Sequence, residues 1–180
     1  MLAEMFSVDD LINDSRACLT ESSPTAAIRE LLDRLCSRPD ELAAGLPPER
    51  SEVDVLHSSP ELTILKVVWG PGMVFRPHNH LMWAAIGIYT GGEDNTFYRR
   101  HAAGLAESGG RSLRPGDVCL LGDSTIHAVA NPTRQHAGAI HIYGGDLIGT
   151  PRSEWTTDTF EERPYDVDLM HATFAAANAG

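Results

Sequence analysis

The spacing of apolar residues changes character once along the chain. In "SSPTAAIRELLDRLCSRPDEL", Ala27, Ile28, Leu31, Leu32 and Leu35 recur at helical intervals and form one stripe. Ser23 stands where an N-cap is wanted, and Pro24 occupies the first helical position. Further upstream, "SVDDLI" has the form of a capped helix start at Ser7 and Asp10. Short helices bury little by themselves, so the stripe predicts a helical segment over 1–50 that packs on the rest of one domain.

From Glu52 onward the period shortens. The runs "ELTILKVVW", "WAAIGIYTG", "NTFYRR", "GDVCLL", "IHAVAN" and "AGAIHIYGG" follow one another, broken by Gly, Pro, Asn and Asp. Breaks at roughly ten-residue intervals predict an antiparallel sandwich or barrel over 51–150, not alternating strand–helix units. The stretch 151–180, beginning "PRSEWTTDTF", reads as an irregular segment that wraps the barrel and frays among small residues at its end.

Composition narrows the partners. A chain of 180 residues can bury the core of one domain. Its 14 basic against 25 acidic residues leave a net charge of −11, which argues against nucleic acid or an anionic membrane as partner. Three scattered cysteines without a C-x-x-C make no disulfide framework. The opening "MLAEMFSVDDLINDS" is acidic where a signal peptide is basic, and no apolar run approaches the ~18 residues of a membrane span. The expectation is a reduced, cytoplasmic protein, monomer or homodimer.

Eight histidines supply the candidate chemistry. His78 and His80 in "GPGMVFRPHNH" are one residue apart, so on a strand both rings project to the same face. They either decorate a solvated surface or form two teeth of a metal clamp. The segment reads G-x5-H-x-H, and "GDVCLLGDSTIHAVAN" sets Gly116, His127 and Asn131 at fixed spacing. These two segments resemble the paired motifs of the cupin superfamily, G-x5-H-x-H with a following glutamate and G-x5-P-x-G-x2-H-x3-N. The spacing is kept, although Gly122 replaces the proline and Ser124 the glycine. The glutamate is absent, since Ala84 and Ala85 occupy its places. The resemblance implies an all-β-dominated fold, a double-stranded β-helix or jelly-roll barrel with N-terminal helices. It also implies His78, His80 and His127 as metal ligands.

Without the glutamate, three neutral imidazoles leave the full charge on a bound cation, and the electron-rich partner must come from the substrate. A thiolate suits that role, because a bound cation favours its deprotonated form. Oxygen chemistry needs a redox metal with open positions, which points to Fe(II). Zinc in an open three-histidine site is chemically possible, with nickel or manganese as further substitutes.

In "AGAIHIYGGDLIGTPR", Ala139, His141 and Tyr143 share one face of a strand. With the two earlier segments, this H-x-Y-G-G run resembles the thiol dioxygenases that act on cysteine and 3-mercaptopropionate, over Leu62 to Arg152. The resemblance implies Tyr143 as a catalytic hydrogen-bond donor oriented by His141. The family serine is Ala139 here, and the cysteine that crosslinks to the tyrosine in mammalian-type enzymes is Ala85, so no thioether can form. Arg152 lies nine residues after Tyr143, where bacterial mercaptopropionate-type enzymes carry an arginine, and would grip a substrate carboxylate. Arg76 is the alternative anion holder if its strand is regular. The implied activity is addition of both atoms of O2 to the sulfur of a small thiol carboxylate, giving a sulfinate. Two rivals use the same residues: another three-histidine cupin enzyme, cleaving C–C bonds or isomerising, and a non-catalytic metal-binding cupin that senses a small anion. His57, His101, His136 and His171 read as exposed, Cys119 as packed, and Trp69, Trp83 and Phe97 as filling the barrel or its lip. Asp123, in a turn near His127, is a weaker candidate for a fourth oxygen ligand.

Overall fold

Three short helices come first: α1 (Val8–Cys18), α2 (Pro24–Cys36) and α3 (Pro39–Gly45). In this computed structural model, residues 6–102 and 104–179 are described; 1–5 of the acidic opening stretch, 103 and 180 lie outside them. The Ser7 hydroxyl accepts the Asp10 N–H at 3.3 Å and so caps α1. Pro24 opens α2, where a missing N–H costs nothing. Eleven strands follow: β1 (Glu52–Ser58), β2 (Thr63–Trp69), β3 (Val74–Asn79), β4 (Ala84–Ile88), β5 (Glu93–His101), β6 (Gly104–Leu113), β7 (Val118–Leu121), β8 (Ile126–Ala130), β9 (Ala137–Tyr143), β10 (Ser153–Trp155) and β11 (Glu162–Pro164). A last helix, α4 (Val167–Ala177), closes the order.

The strands form two antiparallel sheets, β1-β2-β9-β4-β7 and β11-β10-β3-β8-β5-β6. Strands distant in sequence lie side by side, β2 against β9 and β3 against β8, which makes the barrel a double-stranded β-helix. The inner faces enclose one core that includes Val67, Trp69, Phe75, Ile86 and Val129. A second core joins Ile28, Leu31 and Leu32 of α2 to Ile64, Ile140 and Ile142 on the outer face of the five-stranded sheet. β2 and β9 are therefore buried at every position, with apolar residues on both faces interrupted by Thr63, Lys66 and His141. Each fully buried Ile or Leu there contributes about 1.5–3 kcal/mol. Gly87 lets α2 come this close, because a Cβ would sit 2.6 Å from Cys36 Sγ.

The segment after Pro151 is not irregular. Asp166 accepts the Leu169 N–H at 2.9 Å and starts α4, whose Met170, Phe174 and Ala177 pack against the inner core. Before it, β10 and β11 pair as a hairpin, with Ser153 opposite Pro164. β6, an exposed glycine-containing edge strand, also lacked a clear apolar signal. Among the described residues, no helix is long and apolar enough to cross a membrane.

Candidate metal centre

β3 and β8 bring the motif histidines together, for His78 lies directly opposite His127 in their register. His80 stands just beyond the end of β3, at a turn where Leu81 takes a left-handed backbone, φ 58°. One ring nitrogen from each of His78, His80 and His127 lies within 4.8 Å of the other two. No carboxylate or thiol joins the group among the described residues. All three are buried. Asp123 is exposed in its turn and stands outside the cluster.

Hydrogen bonds settle which nitrogens face inward. His78 Nδ1 donates to the Arg76 carbonyl at 3.0 Å, and His127 Nδ1 donates to Asn95 Oδ1 at 2.6 Å. Both Nε2 atoms are left as lone pairs. His127 Nε2 stands 3.4 Å from His80 Nε2. Burial, and then the His127 ring, push His78 and His80 well below the ordinary imidazole pKa. Burial takes His127 down to about 4, against the opposing pull of Glu93. Three buried, neutral imidazoles, two of them with their Nε2 lone pairs fixed, suit a divalent cation, which these residues would hold with positions left open.

The opposite wall comes from β9. His141 Nδ1 and the Tyr143 hydroxyl are 3.0 Å apart, and the Tyr143 ring centroid lies 5.0 Å from that of His80. Burial raises Tyr143 above the ordinary phenol pKa despite Arg152 nearby, so the hydroxyl keeps its proton. Gly144, next in the chain, leaves room for Trp83, whose ring would stand 2.0 Å from an added Cβ.

The two arginines part company. Arg152 lines the same cavity as the three histidines and Tyr143, with its guanidinium 3.5 Å over the Tyr165 ring. Its Nε is buried and has no hydrogen-bond partner among the described residues. Arg76 is turned away: its Nε donates to Glu154 Oε2 at 2.6 Å, with Thr173 and the Asp166 carbonyl as further partners. The cause is a register shift between Phe75 and His78, so Arg76 and Pro77 together oppose a single residue of β8. The strand is not regular there, and Arg76 loses the parity it would have shared with His78.

Glu93 was not legible as a site residue. Its fully buried carboxylate accepts from Trp69 Nε1 at 2.8 Å and from Asn95 Nδ2 at 2.9 Å. It thereby fixes the Asn95 amide so that Oδ1 meets His127. His141 Nε2 is 3.7 Å away, longer than a hydrogen bond. Burial alone would raise this carboxyl, but His141 and Asn95 outweigh it and hold it low. The available signal was the i, i+2 spacing of Glu93, Asn95 and Phe97 on one strand face. Asn131 of the second motif is a loop staple, donating to the carbonyls of Trp69, Gly70 and Gln135. Trp69 is buried and Trp83 half-buried, while His57 and His136 are half-buried, not exposed as expected.

Fold and site together define a double-stranded β-helix barrel with a three-histidine group able to hold a metal ion. No protein-family model matches the chain. Solved structures similar to part of it include a cupin superfamily protein from Desulfitobacterium hafniense, 20% identical over 58% of this chain and 88% of that one, TM-score 0.47. KdgF from Halomonas sp. is 19% identical over 51% of this chain and 76% of that one, TM-score 0.41. Peruvianin-I, a cysteine peptidase from Thevetia peruviana latex, is 20% identical over 47% of this chain, TM-score 0.41; the match spans 51% of its length.

Proposed function

We propose that the protein is an Fe(II)-dependent thiol dioxygenase acting on a thiol carboxylate. One observation carries this reading: a carboxylate-free trio of neutral imidazoles shares a cavity with Tyr143 and with an arginine that has no acidic partner. Bound Fe(II) would supply open coordination positions where a thiolate and O2 meet and react. The net change is R–SH plus O2 to R–SO2H; the S–H and O–O bonds break, two S–O bonds and one O–H bond form, sulfur is oxidised and O2 reduced.

The chain's own groups do the rest. Arg152 binds the substrate carboxylate through its guanidinium fork and fixes where the sulfur lies. Tyr143 keeps its proton at neutral pH and offers it as a hydrogen bond to the reacting sulfur or oxygen, while His141 orients the hydroxyl. Asn95 holds the His127 tautomer. Ala139 adds no hydroxyl to this pair, so the hydrogen-bonded relay ends at His141.

The test is anaerobic reconstitution with Fe(II), then oxygen uptake against 3-mercaptopropionate, cysteine and larger thiol acids. The expected product is a sulfinate carrying both atoms of labelled O2. A protein that binds one iron yet consumes no oxygen with any thiol would overturn the reading.

A further inference from the structure

We propose that this cavity is built for an amphipathic thiol acid with a bulky apolar body and no α-amino group, not for a three-carbon thiol or an amino acid. This rests on the function proposed above and names its substrate class.

Size comes first. The cavity encloses about 530 Å³. A three-carbon thiol acid fills the space of about four waters, roughly 120 Å³, so most of the chamber would stay unfilled. Sites of roughly 300–1,000 Å³ hold ligands of drug size.

Much of the wall is apolar. Around His78, His80, His127, His141, Tyr143 and Arg152, aliphatic and aromatic side chains make most of the lining, many of them from β1, β2 and α4, with Thr150, Tyr165 and His171 as its other polar members. Register explains this: His141 pairs with Leu65, and Leu65 pairs with Val55, so a row of side chains runs from the metal end across β2 to the edge strand. At the spacing of neighbouring strands, that row reaches roughly 10 Å. Met170 and Phe174 of α4 cover it.

The mouth is largely apolar, with His171 as an exposed polar member. Val55, Ile148 and Val167 line the cavity and are 53%, 60% and 51% exposed, half of the large apolar side chains left in water among the described residues. Three such residues around one opening are what an apolar ligand body would cover.

Charge excludes the amino acid. No aspartate or glutamate lines the cavity among the described residues, so an α-ammonium would enter without a counter-ion. Arg152, in contrast, lines the cavity with its Nε unpartnered among the described residues, a place an acid group could fill.

The test is calorimetry on the anaerobic Fe(II) protein with 3-mercaptopropionate, cysteine, 2-benzyl-3-mercaptopropionate and the sulfur-free 2-methyl-3-phenylpropionate. The benzyl thiol is expected to bind at least about tenfold more tightly than 3-mercaptopropionate, with cysteine weakest. In Val53→Trp, which fills the chamber from β1, and in Val167→Asp, which charges its mouth, that ratio should fall toward one. Equal or weaker binding of the benzyl thiol by the unmutated protein overturns the inference, whatever the variants do. Oxygen uptake read in parallel separates the two proposals. Tight benzyl acids with no uptake from any thiol retire the oxidation chemistry and leave the amphipathic site standing. Uptake with 3-mercaptopropionate but no tenfold gain does the reverse.

Discussion

The two sheets face one cavity but live in different environments. β2 and β9 of the five-stranded sheet are buried at all positions, between the barrel interior and the N-terminal helices. β5 and β6 of the six-stranded sheet run out into solvent. The dry sheet carries His141 and Tyr143, where burial keeps a phenol protonated. The six-stranded sheet carries His78 and His127, and His80 stands just beyond the end of β3; all three line the cavity. Proton-holding groups thus come from one sheet and metal-holding groups from the other, and both sets are buried. Glu93 spans the two, since β5 carries it while Trp69 and His141 reach it from the other sheet.

Removing that link is the largest effect expected of a single substitution. Glu93→Ala leaves the Trp69 indole N–H and the Asn95 amide unpartnered in the interior, at a cost of about 3 kcal/mol. Asn95 would also be free to flip, so His127 should lose its fixed tautomer. Denaturant unfolding measures the first effect, and zinc affinity of the folded protein measures the second. A variant that keeps both values would mean that the sheets need no such joint.

Acid tests the same contrast without mutation. In the metal-free protein His127 titrates near 4, whereas an unfolded histidine titrates near ~6.5. Between those values the unfolded state binds more protons, so stability is full above pH ~6.5 and falls as the pH drops toward 4, by roughly 3 kcal/mol. His78 and His80 shift in the same direction and deepen the loss. Glu93, held below the ordinary carboxyl range, adds a further loss once the pH passes below its unfolded value near ~4.3. Thermal melts across pH 4–7 check this. Bound zinc should move the loss to lower pH, because a coordinated imidazole resists protonation.

The arginines sharpen the comparison. Arg76→Met removes a buried partner of Glu154, which Arg163 still contacts at 2.8 Å, and should cost about 2 kcal/mol of stability. Arg152→Met should cost about 1 kcal/mol or less, chiefly its stacking on Tyr165. Activity should invert that order, with KM for 3-mercaptopropionate rising at least about tenfold in Arg152→Met alone. An equal rise in both variants would assign the carboxylate to neither.

These outcomes follow how locally each feature is written. Strand parity is local, so His78 with His80 and His141 with Tyr143 could be paired from the sequence, and turn spacing was enough for an antiparallel barrel. Arg76 depended on a bulge that exists only against β8, which no reading of β3 alone reveals. Glu93 meets Trp69 from 24 residues away, and its meaning lies in that distant contact. α4 was missed because "VDLMHATFAAANA" has small apolar residues on most of its faces, leaving little stripe to see. The wide chamber likewise belongs to no single run, since β1, β2 and α4 meet only in the fold.

The smallest effect concerns the turn that sets His80. Leu81 holds φ 58° while 51% exposed, a backbone that favours glycine and a side chain that prefers cover. Leu81→Gly relieves the strain but frees the unfolded chain, so the net change in stability should be under about 1 kcal/mol in either direction. Its consequence for the site is sharper. If the leucine holds the turn rigid, the glycine variant should bind zinc more weakly by a few-fold while melting at nearly the same temperature. If zinc affinity does not move, His80 is positioned by its packing against Tyr143 on the dry sheet, 5.0 Å between ring centroids, and not by the turn. The six-stranded sheet would then borrow even the aim of one ligand from the five-stranded one.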